Sequence, residues 1–163
     1  MKHKAYLLML LFTLAISNAE VKIVKAGDSA PPISLFKLES NKYFRSKEYL
    51  GKKNLVVSFF ATWCGPCAKE IPELIKMSKE FGDDFHFVLV DVNEKRDLVK
   101  KHVEEKGISL QVILDKYGKV FKSFGGDKMP LLVVIDKKGK ITYHHTGYVE
   151  GDEKKLLKHL KTL

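Results

Sequence analysis

Hydrophobic positions along the chain fall into two kinds of run, and their alternation outlines the fold. Residues 54–61 (NLVVSFFA) and 85–92 (FHFVLVDV) are apolar runs of strand length, rich in Val and Phe, the pattern of strands covered on both faces. Between them, Ile71, Leu74, Ile75, Met77 and Ser78 recur at three-and-four spacing. That predicts a helix over 66–81, with Gly82 suited to a left-handed C-terminal position. Two apolar runs joined by a helix make a parallel unit with a right-handed crossover, and ligand chemistry belongs at its strands' carboxyl ends.

The remaining pattern adds to both sides of this unit. A helix is predicted over 94–106, with Leu98, Val99, His102 and Val103 facing inward and Gly107 stopping it. A strand over 110–114 and a short helix over 117–124 follow, closed by Gly125-Gly126. Strands over 131–135 and 141–145 flank Asp136-Lys137-Lys138-Gly139, the composition of a hairpin turn. Residues 150–163 read as a last helix burying Leu156, Leu157 and Leu160. Ahead of the unit, Pro31-Pro32 is a breaker, and a short alternating run at 33–36, a turn at 39–42 and Tyr43-Phe44 suggest a hairpin. No internal repeat or linker interrupts the series, so the expected fold is one α/β domain with a central mixed sheet flanked by helices.

Composition agrees with a globular domain: 163 residues, 45% hydrophobic and 30% charged, with 5 Pro. The start changes the picture. Lys2 and Lys4 precede an apolar run over 5–16, followed by the small-residue signature Ser17-Asn18-Ala19. This reads as a secretory signal peptide over 1–19, leaving 20–163 as the domain and an extracytoplasmic location, the periplasm in a Gram-negative cell. The run is shorter than the roughly 20 residues of a membrane span, which makes a retained anchor the alternative; no Cys follows that could carry a lipid. The net charge of +9 comes from Lys spread along the chain, as on solvated faces. No aromatic-interleaved basic stripe is present, so nucleic-acid binding is not expected.

Candidate chemistry centres on Cys64 and Cys67, the only two cysteines. A Cys-x-x-Cys motif can be half a zinc site, a structural staple or a redox pair. Structural zinc wants four ligands; there is no second Cys pair, and His144 and His145 are adjacent on a predicted strand and so point to opposite faces. A staple across two residues constrains little of the unfolded chain. The redox pair is favoured, with no metal or cofactor. Cys64 would precede the first helical turn, stay exposed and act as nucleophile, its thiolate favoured by the helix N-terminus within the range of about 3.5 to 7.5 seen for activated cysteines. Cys67, one turn in and shielded, would resolve the mixed disulfide. Glu70 shares its helix face and is placed to accept its proton, a reading weighed evenly against an ordinary solvated helix Glu. Pro72 removes the hydrogen bond to the Ala68 carbonyl and predicts a kink. Pro130, immediately before a strand, is by itself compatible with the commoner trans strand-entry proline.

Trp63-Cys64-Gly65-Pro66-Cys67 with Pro72 eight residues after the first Cys, and Met129-Pro130 before a hairpin ending at Gly147, resemble the thioredoxin superfamily. The leader, Ala30-Pro31, the run Phe-Ala-Thr-Trp-Cys, Lys69-Glu70-Ile71-Pro72 and the turn at 135–140 are more narrowly similar to its extracytoplasmic TlpA/ResA/CcmG branch. The strand and helix over 110–124 resemble that branch's insertion. The resemblance implies a cis Pro130 packed against the cysteine pair, a Met129 backbone that pairs with an extended substrate, Trp63, Gly65 and Pro66 as further substrate contacts, and Glu70 as the branch's active-site Glu. Ser58 stands where thioredoxin proper has a buried Asp, which rests proton handling more heavily on Glu70. Phe60 replaces a frequent Trp, and Met129 is unusual before the proline.

The activity implied is that of an exported thiol:disulfide oxidoreductase, a monomer, reducing protein disulfides with electrons from a membrane thiol carrier and acting on substrates such as apocytochrome c thiols. Peroxiredoxin chemistry is a rival, but its motif wants Thr and Pro where Ala61 and Val57 stand. The other rivals are an oxidising disulfide enzyme and a binding module with an inert disulfide.

Overall fold

The computed structural model describes residues 24–163; the leader read over 1–19 lies outside the described residues. Seven strands form one sheet: β1 (Ser34–Lys37), β2 (Tyr43–Arg45), β3 (Asn54–Phe60), β4 (Phe85–Val92), β5 (Gln111–Asp115), β6 (Leu131–Ile135) and β7 (Ile141–Thr146). Four helices accompany them: α1 (Gly65–Phe81), α2 (Arg96–Lys106), α3 (Lys119–Ser123) and α4 (Asp152–Leu160). The strand order is β2-β1-β5-β4-β3-β6-β7, with β3, β4 and β5 parallel and the remaining pairs antiparallel.

Every residue of β3 is buried, as its unbroken apolar run requires of a strand with helices on both faces. Alternation divides its side chains. Val56 and Phe60 join a core with Ile71 and Leu74 of α1, Val99 of α2 and Leu156 and Leu160 of α4. Val57 and Phe59 face the opposite core, where Phe59 meets Phe121 and Phe124 at ring separations of 5.6 and 5.5 Å.

The central unit and both hairpins form as the pattern predicts, with element ends shifted by one to a few residues. The hairpin of β1 and β2 docks on β5, and Arg96 at the start of α2 secures it through the carbonyls of Lys37 (3.1 Å) and Leu38. Two local expectations are corrected. Gly82 is right-handed, with φ −60°, because α1 runs on into a turn in which Asp84 N–H bonds the Phe81 carbonyl at 3.1 Å. Leu98 is half exposed while Val99 is fully buried; α2 presents the stripe Val99, His102 and Val103, and Leu98 lies about 100° around the helix from its centre. Pro72 sits inside α1 without ending it.

Candidate functional site

The cysteines lie where β3 delivers the chain to α1. Ala61, Thr62 and Trp63 form the connection, and Cys64 is the N-cap of α1, with extended backbone. Pro66 occupies the first turn, where its missing N–H leaves no helical bond unmade. Cys64 and Cys67 are joined in a disulfide, their Cα atoms 5.3 Å apart, and the Cys67 N–H donates to Cys64 Sγ at 3.3 Å. The amide that would stabilise a Cys64 thiolate is therefore already aimed at its sulfur.

Exposure corrects one expectation. Cys64 is buried in this disulfide form, at 5% exposure, and Cys67 at 1%. The accessible rim is Trp63, 72% exposed, with Gly65 and Pro66 also exposed. The connection curls Cys64 back so that its N–H bonds the Ala61 carbonyl at 3.1 Å, drawing the side chain under the rim. The Met129–Pro130 peptide is cis, as the resemblance implies. Met129 packs on the core cluster that contains both cysteines, and the Pro130 carbonyl accepts from Gly147 N–H at 2.7 Å.

Glu70 is not a solvated helix residue; it is 3% exposed. Ser58, projecting from β3 between Val56 and Phe60, donates to its Oε2 at 2.6 Å. Burial lifts the Glu70 carboxyl from 4.5 to about 7; the Ser58 bond opposes this and the nearby Asp152 charge adds to it. Glu70 thus takes up or gives up a proton near neutrality, one helical turn from Cys67. A small cavity beside it is lined in part by Tyr143, His145, Tyr148 and Asp152. Asp152 is held as an anion by Lys155 Nζ (2.7 Å), the Val149 N–H (3.0 Å) and His145 Nε2 (3.1 Å).

Sequence reading missed a second buried polar group on the same face of the sheet, on the neighbouring strand β4. Asp91 in β4 is fully buried, and when ionised neither oxygen has a hydrogen-bond partner. Glu94, just beyond the strand, accepts from Thr62 twice, N–H to Oε2 at 2.6 Å and Oγ1–H to Oε1 at 2.7 Å. The available signal was an acid inside an otherwise apolar strand, followed by another three residues later. Asp152 and His145 carried no comparable signal, because their meeting depends on how α4 docks against β7.

A disulfide at the N-terminus of a helix that follows a central strand, with a buried ionisable carboxyl one turn further on, defines a thioredoxin-fold thiol:disulfide oxidoreductase. The chain belongs to the Redoxin family, whose model matches residues 25–160. Relatives include the thiol-disulfide oxidoreductase ResA of Bacillus thuringiensis subsp. konkukian, 32% identical over 86% of this chain and 79% of that protein. The thioredoxin-like protein YneN of Bacillus subtilis is 29% identical over 84% of this chain and 80% of its own length. Among solved structures, a Chlorobium tepidum protein assigned as the thiol:disulfide interchange protein DsbE superposes with a TM-score of 0.79 at 24% identity, covering 85% of this chain and 97% of that one. The exposed lipoprotein thioredoxin Etrx1 of Streptococcus pneumoniae gives 0.71 at 27% identity, over 82% of this chain and 100% of its own.

Proposed function

We propose that this protein works outside the cytoplasm as a reductant of disulfides in protein substrates, with Cys64 as the attacking thiol, Cys67 as the resolving thiol and Glu70 as the proton acceptor. The observation that carries the reading is the buried Glu70 carboxyl, held up to about 7, one turn from a cysteine pair at the N-terminus of α1.

In the reduced protein, the Cys64 thiolate attacks one substrate sulfur. A bond forms between them, the substrate disulfide breaks, and the second substrate sulfur leaves as a thiolate. Cys67 then gives its proton to Glu70 and attacks Cys64 Sγ, which releases the first substrate sulfur as a thiolate. The two electrons that reduced the substrate came from the dithiol, which ends as the Cys64–Cys67 disulfide. A membrane thiol carrier returns the pair to the dithiol. Trp63, Gly65, Pro66 and the Met129-Pro130 segment receive the substrate chain around the attacked sulfur.

Reduction is favoured over oxidation because Gly65-Pro66 is the dipeptide of thioredoxin, at about −270 mV, and not that of the oxidant DsbA, at about −120 mV. An extracytoplasmic setting is supported by the leader composition and by the exposed lipoprotein among the similar structures. Apocytochrome c thiols are the downstream substrate that the ResA resemblance favours. Equilibration with defined thiol buffers, followed by alkylation of the mature domain over 20–163, tests the reading. A midpoint near the thioredoxin value supports it, one near the DsbA value makes the protein an oxidant, and a pair that exchanges with no thiol overturns it. A Cys67→Ser protein is expected to trap its substrate on Cys64 as a mixed disulfide, and apocytochrome c in that trap would support the narrower assignment.

A further inference from the structure

The reaction just described leaves the most deeply buried carboxyl of the site region without a role. Asp91 has no exposed surface and, ionised, no hydrogen-bond partner for either oxygen, an arrangement that strongly disfavours the charged form unless a proton is present. In register it lies beside Phe60 on β3 and Leu114 on β5, at the carboxyl end of the sheet and on the face covered by α1 and α2. The group next to it is another carboxylate, Glu94, already engaged by both donors of Thr62. Thr62 is two residues before Cys64.

We propose that Asp91 and Glu94 share one proton, with Asp91 as the carboxyl donor and Glu94 as the carboxylate, and that the pair is a positioning device that fixes the Thr62-Trp63-Cys64 connection for attack. Two carboxylates in contact cannot both ionise cheaply. With one proton between them, the Asp91 O–H gains an acceptor, and the Glu94 charge stays available for two short bonds to Thr62. Burial is the main reason the Asp91 carboxyl is pushed up to about 8; the side-chain hydrogen bond and charge of Glu94 come next, and Asp115 adds to them. The Glu94 amide opposes this, though it does not meet full hydrogen-bond geometry. Beyond Glu94, the charge that acts on Asp91 is Asp115 from β5, and His102 of α2 lies against Phe60, the register partner of Asp91. Lys95, Arg96, Asp97, Lys116 and Tyr117 line the open groove beside Glu94.

Glu94 holds both Thr62 donors only while Asp91 stays protonated. Once Asp91 ionises, repulsion between the carboxylates releases the clamp, and Cys64 loses its fixed approach. The functional part of this inference rests on Cys64 being the attacking thiol; the clamp itself does not.

The oxidised protein separates the two, because its cysteines do not titrate. The Thr62 amide resonance is expected to lie far downfield and to shift with a midpoint near pH 8, and the Asp91→Asn protein, whose amide still donates to Glu94 but cannot ionise, is expected to keep it constant. A Glu70→Gln background removes the titration expected near 7. In reduced protein, disulfide exchange above pH 8 is expected to fall about threefold or more below the Asp91→Asn profile, the scale on which small losses of orientation act. An unshifted Thr62 amide in wild type, or the same shift in Asp91→Asn, overturns the shared proton. A Thr62 shift without any change in exchange overturns the positioning role alone.

Discussion

Ser58 donates a 2.6 Å hydrogen bond to Oε2 of Glu70, and both side chains are buried. Burial wins the contest over the Glu70 proton, lifting its carboxyl to about 7 against the pull of the Ser58 bond. A base is most useful when its pKa matches the working pH. Glu70→Gln is therefore expected to slow release of a mixed disulfide on Cys64 by about a hundredfold and to remove the inflection near pH 7. Stopped-flow release of a chromophoric thiol measures both. A Gln protein that keeps the inflection would assign it to another group.

The same shift has a consequence for folding. A carboxyl whose folded pKa is raised contributes stability that is fully present below 4.5 and is lost as pH rises to about 7. The shift corresponds to about 3 kcal/mol. Urea unfolding of the Glu70→Gln protein is expected to lack that slope between pH 4.5 and 7 and to show a stability above pH 7 equal to or greater than wild type.

Ser58→Ala tests the opposing contribution. Removing the donor leaves burial and Asp152 unopposed, so the inflection in mixed-disulfide release moves upward from about 7. Because the buried Glu70 then loses a partner, stability is also expected to fall by about 1 to 3 kcal/mol. An inflection that moves down would mean that water entering the vacated space solvates Glu70 better than the serine hydroxyl did.

The order of elements was legible from local pattern: the length and Val/Phe content of NLVVSFFA suit a doubly covered strand, and Ile71, Leu74 and Ile75 lie along one helix face. Glu70 was legible as a neighbour of Cys67 for the same reason. Its burial was not, because that depends on α4 and β7, which arrive some 80 residues later and bring Leu156, Tyr143 and Asp152 to the Glu70 side of α1. The exposure of Cys64 was misread because helix geometry fixes its position as N-cap and says nothing of how the Ala61–Trp63 connection folds over it. Asp91 went unread because seven apolar or aromatic neighbours made its strand look complete.

Asp152 should dominate the acid limb of stability. The Lys155 ammonium first, then the Val149 N–H and His145, hold its carboxyl down at about 2, with burial opposing them. A depressed carboxyl contributes stability present above its unfolded value near 3.8 and lost as pH falls towards 2. Asp152→Asn is expected to melt lower than wild type at pH 6 and to show a shallower decline between pH 4 and 2. It should also lower the Glu70 inflection, since the Asp152 charge raises that group. Equal acid limbs in the two proteins would place the acid sensitivity elsewhere.

Gly126 links the rear core to the front of the site. A Cβ at this position would overlap the Phe121 ring, and Phe121, the buried residue of α3, packs against Phe59. The ring yields by pushing into Phe59, by shifting α3 that carries it, or by displacing the segment that leads from Gly126 to Met129. Overpacking of this kind costs about 1 to 3 kcal/mol, so Gly126→Ala is expected to lower the melting temperature by several degrees. Adding Phe121→Leu makes room for the methyl group and is expected to recover part of the loss, less the ring contacts given up with Phe59. If the segment moves, KM for a disulfide substrate rises in Gly126→Ala while alkylation of Cys64 is unchanged, because Met129 shifts and the α1 N-terminus does not. If only the rear core gives way, the melting temperature falls with KM intact.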